Sequence, residues 1–222
     1  MRDIDLGAFL PKLAEALLQT LQMITLSFLV AGVLGVLFGI LLYATRPGNL
    51  LENRFVFGGL NALINVIRPI PFIIIIIALI PVTRALLGTS IGTTAAVPAL
   101  ALVASVAIAR IAESNLVAVD PGTVEAGAAM GASPARVLFT IVIPESLGPL
   151  TLGLTYIFVA LVDATAVAGL VGAGGLGSLA LTYGYQRFDW FVMAAVVVTL
   201  IVLVQLAQVT GNRVARAVQH QR

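Results

Sequence analysis

The chain has no cysteine and one histidine, His220, in its last three residues. Without cysteine there is no disulfide framework and no thiolate metal site. One terminal histidine supplies neither a histidine-based metal site nor a histidine general base. Lysine is nearly as scarce, with Lys12 alone. A phosphate-binding loop needs a lysine behind a glycine-rich turn to reach the β/γ-phosphates. No glycine loop precedes Lys12, so the chain cannot be its own P-loop motor, and ATP-driven work would need a second polypeptide. No serine–histidine or paired-aspartate constellation is present to make it an intramembrane hydrolase. Charge is sparse too, at 10% of residues with a net of +2, against ~25% charged in soluble domains. That slight excess, without an aromatic-basic stripe, gives no footprint for nucleic acid.

What the sequence has instead is apolar surface, 60% of its 222 residues. A soluble core of this size cannot hold so much, so an integral membrane protein is indicated. Glu15 to Arg46, Arg84 to Arg110 and Asp189 to Arg213 enclose no charge at all, and each window exceeds the ~20 residues of a crossing helix. Between Arg54 and Arg84 the lone charge is Arg68, in "NVIRPIPFIIIIIALIPVTR". A span starting near Leu60 and kinked at Pro69 and Pro71 would leave Arg68 snorkelling to a headgroup level. Glu145 to Arg187 holds one more span, with Asp163 in its middle. The reading is an all-α membrane protein, one transmembrane domain over 1–222, with five spans at about 20–44, 60–82, 90–112, 146–169 and 189–211. The N-terminus has no basic stretch and no small-residue cleavage site, so the first run is expected to be a retained span.

Arginine placement orients these spans. Arg46, Arg54, Arg68, Arg110, Arg136, Arg213, Arg216 and Arg222 fall on one side, and Arg2, Lys12, Arg84 and Arg187 on the other. The richer side is cytoplasmic, which puts the N-terminus outside and the C-terminus inside. The polar stretch at 120–144 then faces the cytoplasm. In it, Asp120 is placed as an N-cap with Pro121 at the first helical position, and Gly131 as a left-handed C-cap. Ser133 and Pro134 repeat that start, and Pro144 is placed to break the second helix. Val124, Gly127, Ala128 and Gly131 share one face of the first helix. That small-residue face can pack on the chain's own spans or accept another protein's groove, and both readings stand.

The same stretch resembles the EAA signature of ABC importer permeases: Glu-Ala-Ala, three residues, Gly, nine residues, Ile, one residue, Leu-Pro. Here the matching residues are Glu125, Ala126, Gly127, Gly131, Ile141, Ile143 and Pro144. Gly127 replaces the third alanine and Ile143 the leucine. The resemblance implies a cytoplasmic coupling helix between spans 3 and 4 that seats in a groove of a separate ATPase subunit. Glu125 and Gly131 would serve as contact and turn positions. "YATRPGN", "NVIRPIPFIIIIIALIPVTR", "GTSIG" and "VGAGGLG…YGY" are similar to the methionine importer permeases in particular. The implied assembly is a second copy of the chain, two ATP-binding cassette subunits and an extracytoplasmic solute-binding protein, in a bacterial inner membrane. It would carry a small amino acid, with ATP and magnesium held by the partner ATPase and no cofactor on this chain.

"GAGGLG", with Gly172, Gly174, Gly175 and Gly177, formally fits a dinucleotide fingerprint, but no strand is predicted before it. It reads either as a flexible turn or as re-entrant, gate-forming backbone, which is tolerated at membrane depth only when shielded by protein or water; the resemblance favours an outer gate. Asp163 has two readings. It lines a pathway and meets an ammonium or a proton, or it is neutralised by protonation or a partner. Arg110 and Glu113 are expected to form an i,i+3 pair, and Met23 and Met193 to pack or face lipid. Two other functions fit an apolar chain: a proton-coupled secondary transporter using Asp163, and a membrane anchor that moves no solute.

Overall fold

The computed structural model describes residues 6–49 and 51–219. Arg2, His220 and Arg222, used above, lie outside the described residues. The elements are α1 (Leu6–Thr45), α2 (Arg54–Ile67), α3 (Phe72–Ala78), α4 (Ile80–Leu87), α5 (Thr93–Val117), α6 (Pro121–Ala129), α7 (Pro134–Val137), a π-helical stretch (Leu138–Val142), α8 (Ile143–Leu170), α9 (Gly175–Leu179), a second π-helical stretch (Ala180–Tyr185) and α10 (Trp190–Gln219). No strand occurs among the described residues. Four helices are long and apolar enough to cross a membrane, and a fifth crossing exists if α2 and α3 form one interrupted span. The all-α, multi-span reading therefore holds.

The expected bounds shift: α1 begins at Leu6 instead of near residue 20 and α10 runs on to Gln219, and two further shifts involve prolines. Where one kinked span was read at 60–82, three helical pieces occur. Asn53 starts α2 early, its Oδ1 accepting from the backbone N–H groups of Phe55 and Val56, both at 3.1 Å. Pro69 and Pro71 then remove donors and disfavour helical geometry in the residues before them, so α2 ends at Ile67. Pro81, near the start of α4, begins a further helix. The second shift is at Pro144, which does not break its helix. It stands at the second position of α8, just after a stretch wound more loosely than an α-helix, in which the Ile143 N–H reaches back to the Leu138 carbonyl. That wider turn gives room for a ring that would otherwise crowd the carbonyl four residues back, and the apolar rod from Pro134 to Leu170 is continuous.

The described residues pack as two compact units. The first comprises the described parts of Met1–Leu29, Ile70–Leu102 and Phe158–Ala207. Its core joins Ala16, Leu176, Leu179, Val192 and Val196, with edge-to-face pairs Phe9–Phe191 and Phe28–Phe158 at 5.5 and 5.4 Å. Met23 is fully buried there, which settles its role as packing, and Met193 lies against Gly184. Lys12, Arg84 and Arg187 belong to this unit.

The second unit comprises Val30–Pro69, Val103–Ile157 and the described part of Gln208–Arg222. It holds Arg46, Arg54, Arg68, Arg110, Arg136, Arg213 and Arg216, the described members of the arginine-rich set. One core joins Leu42, Ile64, Val106 and Ala109. Beside it α1 meets α5 through Gly35 and Gly39, one helical turn apart. A Cβ on Gly35 would lie 2.6 Å from Ile108 Cβ and 2.7 Å from the Ser105 carbonyl oxygen. One on Gly39 would overlap Ala112 Cβ and come within 2.8 Å of the Ala109 carbonyl oxygen. Small residues at this spacing let two backbones approach closely in an apolar medium. Gly39→Val is expected to cost roughly 1–3 kcal/mol by overpacking, read as a lowered thermal midpoint of the detergent-solubilised chain; an unchanged midpoint would contradict the close α1–α5 approach.

Candidate functional site

The polar stretch is built on one glycine-dependent cap, one serine cap and one buried cluster. α6 ends with the N–H of Gly131 donating to the Ala128 carbonyl at 2.9 Å and that of Ala132 to the Gly127 carbonyl at 3.3 Å. This paired closure requires the left-handed backbone that Gly131 adopts at φ 82°. Asp120 occupies the N-cap position, but its carboxylate accepts from the Thr123 hydroxyl at 3.2 Å instead of capping a backbone N–H. Ser133 caps α7 as expected, accepting from the Arg136 N–H at 3.3 Å.

The hairpin of α6 and α7 is held by its apolar side. Val124, Ala132, Ile141 and Ile143 pack on a buried cluster of Tyr43, Ala44, Leu116, Val119, Val137, Leu138 and Val142. Gly127 is buried, and a Cβ there would lie 2.5 Å from Ile141 Cδ1. Of the two readings of the small-residue face, the inward one holds for Val124 and Gly127: they pack on their own chain. The rest of the hairpin, including Ala128 and Gly131 of that same face, is open. Glu125, Ala126, Ala128, Ala129 and Gly131 are exposed, and so are Met130 (82%) and Phe139 (63%). The sequence reading missed those two side chains; in a chain this apolar, an unpaired Met or Phe gives no local signal. Glu125 also rims an open cleft with Tyr43, Arg46, Asn49, Val119 and Val124. The stretch between α1 and α2 that borders this cleft is fixed by Glu52. Its carboxylate accepts from the Gly48 N–H at 3.1 Å and from Arg54 Nε at 2.9 Å. The Gly48 N–H first, and Arg54 second, hold that carboxyl below its ordinary range.

The glycine-rich candidate lies in the first unit. Here α8 closes as α6 does: the N–H of Gly172 donates to the Gly169 carbonyl at 3.4 Å and that of Ala173 to the Ala168 carbonyl at 3.2 Å, with Gly172 at φ 90°. Gly174, at φ 82° and ψ −155°, occupies backbone that side chains essentially exclude. The chain then continues as α9, whose first N–H groups are satisfied from α1. Gly175 N–H donates to Gln19 Oε1 at 2.7 Å and Leu176 N–H to Thr20 Oγ1 at 2.9 Å. Gln19 and Thr20 were not singled out from sequence, although a polar pair opening an apolar run was the available clue. Gly177 lies on the backbone of Ala166, leaving no room for a Cβ. The segment is thus a packed turn, not a loose linker.

Asp163 does not join these glycines. It is exposed on α8, as are Ala160 and Leu170, and among the described residues no hydrogen bond or ion pair involves it. The paired reading therefore has no partner within this chain's described residues. Arg110 and Glu113 do pair, Nη1 to Oε2 at 2.6 Å. The guanidinium also donates through Nη2 to Asn61 Oδ1 at 2.5 Å and Asn65 Oδ1 at 2.6 Å, tying α5 to α2. No grouping of three or more His, Cys, Asp or Glu able to hold a metal occurs among the described residues.

Comparison with known proteins places these features in one family. The family described as binding-protein-dependent transport system inner membrane component matches residues 33–220. The chain is 42% identical over 208 residues to the "Probable D-methionine transport system permease protein MetI" of Vibrio cholerae, covering 94% of this chain and 92% of that one. It is 39% identical over 178 residues to the "Methionine import system permease protein MetP" of Bacillus subtilis, covering 80% of each. Among solved structures, a chain of the MetNI methionine ABC transporter in an inward-facing conformation superposes with a TM-score of 0.90 at 38% identity, covering 98% of this chain and 99% of that one.

Proposed function

The chain belongs to the family of binding-protein-dependent transport system inner membrane components, and from that premise we propose that it is the membrane-spanning subunit of an ATP-driven methionine importer. The observation that carries this is a fold match at TM-score 0.90 over 98% of the chain to a chain of the MetNI methionine ABC transporter. Five crossings are few to enclose a solute route, so two copies related by a two-fold axis share it. Arg and Lys placement puts the second unit's loops in the cytoplasm and the N-terminus outside. Each copy presents the exposed surface of α6 to an ATPase subunit that holds ATP and magnesium. Glu125, Gly131, Met130 and Phe139 are the contact and turn positions. Gly127, Ile141 and Ile143 hold that surface on α1, α5 and α8, Ala126 lies on the exposed side, and Pro144 stands at the start of α8. A solute-binding protein delivers methionine at the outer side, where Gly172, Gly174, Gly175 and Gly177 shape the gate.

Motion then follows from construction. The α6–α7 hairpin has an apolar underside clamped to the buried cluster and a free outer surface. A push from the ATPase is therefore delivered to the ends of α1, α5 and α8 through packed side chains, which transmit displacement with little give. Access alternates between the two sides without any covalent step on this chain.

The test is labelled methionine uptake by cells carrying the chain with its partner subunits. One arm is depleted of ATP with the proton gradient kept, the other has the gradient collapsed with ATP kept. Dependence on ATP alone supports the importer, and competition by other amino acids then defines the substrate, including the D-isomer or a different small amino acid. Dependence on the gradient would favour the second reading, a secondary transporter, for which the unpartnered Asp163 is the specific observation. Asp163→Asn separates the two further. Gradient-driven transport through a carboxylate would be lost outright, whereas an ATP-driven importer is expected to retain uptake with at most a raised KM.

A further inference from the structure

A cavity in the second unit is lined by Arg46, Arg68, Arg110, Glu113, Ser114 and Asn115. Three arginines and one glutamate thus line one space, brought together from the turn after α1, the end of α2 and the last turns of α5. Arg110 and Glu113 are already engaged with one another, and Arg110 with the two asparagines of α2. Arg46 and Arg68 are different. Both are exposed, and among the described residues neither guanidinium has a hydrogen-bond or ion-pair partner. The hydroxyl of Ser114 and the amide of Asn115 add neutral donors to the same lining.

We propose that this cavity binds the phosphate of an anionic phospholipid headgroup. A guanidinium presents a planar fork of donors matched to phosphate oxygens, and two unsatisfied forks flank this opening. The surroundings suit acyl chains better than water. Ile111 and Val117 complete the lining, and Val117 is 43% exposed. Basic pockets among membrane helices on the arginine-rich face draw acidic lipids from the adjoining leaflet. Free phosphate shares the chemistry but would gain nothing from the apolar rim.

The test uses the purified full chain assembled with its partner subunits. Retained phosphatidylglycerol is counted by native mass spectrometry after mild delipidation. Thermal midpoints are compared with added phosphatidylglycerol, phosphatidylcholine or inorganic phosphate. Phosphatidylglycerol is expected to raise the wild-type midpoint and phosphatidylcholine to leave it unchanged. R46Q/R68Q is expected to lower retained phosphatidylglycerol roughly tenfold or more, as losing two surface guanidinium charges near an acidic leaflet should. R46K/R68K, which keeps the charge but loses the fork, is expected to retain an intermediate amount. Equal stabilisation of the wild type by the two lipids, or unchanged phosphatidylglycerol retention in R46Q/R68Q, would overturn the proposal. Stabilisation by inorganic phosphate as strong as by phosphatidylglycerol would overturn the lipid source in favour of a free anion.

Discussion

Gly131→Arg is expected to abolish ATP-dependent uptake while leaving the chain in the membrane at wild-type abundance. Two physical effects combine at that position. The backbone is at φ 82°, where a side chain costs ~1–2 kcal/mol, and the paired hydrogen bonds that close α6 depend on it. The residue is also exposed, with nothing within 4 Å of where a Cβ would stand. The arginine therefore projects outward beside Met130, into the surface proposed to meet an ATPase, and does not disturb the buried cluster beneath. Strain and obstruction can be separated. Gly131→Asn, which tolerates left-handed backbone, should keep most of the uptake, and Gly131→Ala should lose a modest part. Uptake is the decisive measurement, with membrane abundance as the control. Wild-type uptake by the arginine variant would remove α6 from the coupling path, and equal losses in Ala and Arg variants would assign the effect to backbone strain alone.

Gly177→Val is expected to be at least as damaging, by a different route. A Cβ on Gly177 would fall into the backbone of Ala166, 2.6 Å from its Cα and 2.8 Å from its carbonyl carbon. Rotamer changes relieve side-chain clashes, but here both sides are main chain, so α9 must leave α8. Moving it would also break the hydrogen bonds from Gly175 and Leu176 to Gln19 and Thr20 and open the core around Leu176 and Leu179. The cost should exceed the ~1–3 kcal/mol of ordinary overpacking. Size-exclusion profiles and thermal midpoints of the solubilised chain provide the check, with Gly58→Ala as the control, because nothing lies within 4 Å of a Cβ there. A monodisperse Gly177→Val protein with an unchanged midpoint would contradict the α8–α9 packing and the gate proposed upon it.

Much of this architecture was legible because its causes are local. The charge-free windows and proline positions announce helices and their interruptions, since both act through a residue's own backbone or its transfer from water. Gly131 as a cap and Ser133 as a helix start were readable for the same reason, and so was the Arg110–Glu113 pair, whose members are one turn apart. Asp120 fitted the pattern but lost its capping role to a neighbouring hydroxyl, a competition that residue type alone does not decide. Pro144 misled because its usual effect presumes an ideal α-helix before it, whereas that segment is wound wider.

The sequence by itself determined that the chain lives in a membrane as a bundle of apolar helices, that it carries no nucleotide-binding loop, and that one polar segment breaks the pattern. Each of these depends on composition or short-range spacing. The tertiary structure decided which way that segment faces. Gly127 turns inward onto Ile141 while Met130 and Phe139 are left bare, because only the packing of the hairpin on the ends of α1 and α5 distinguishes its two sides. It likewise decided that Gln19 and Thr20 hold the start of α9, contacts made across more than 150 residues of chain. And it left Arg46 and Arg68 without partners around one cavity, since whether two charges of like sign share a space depends on where distant helices end.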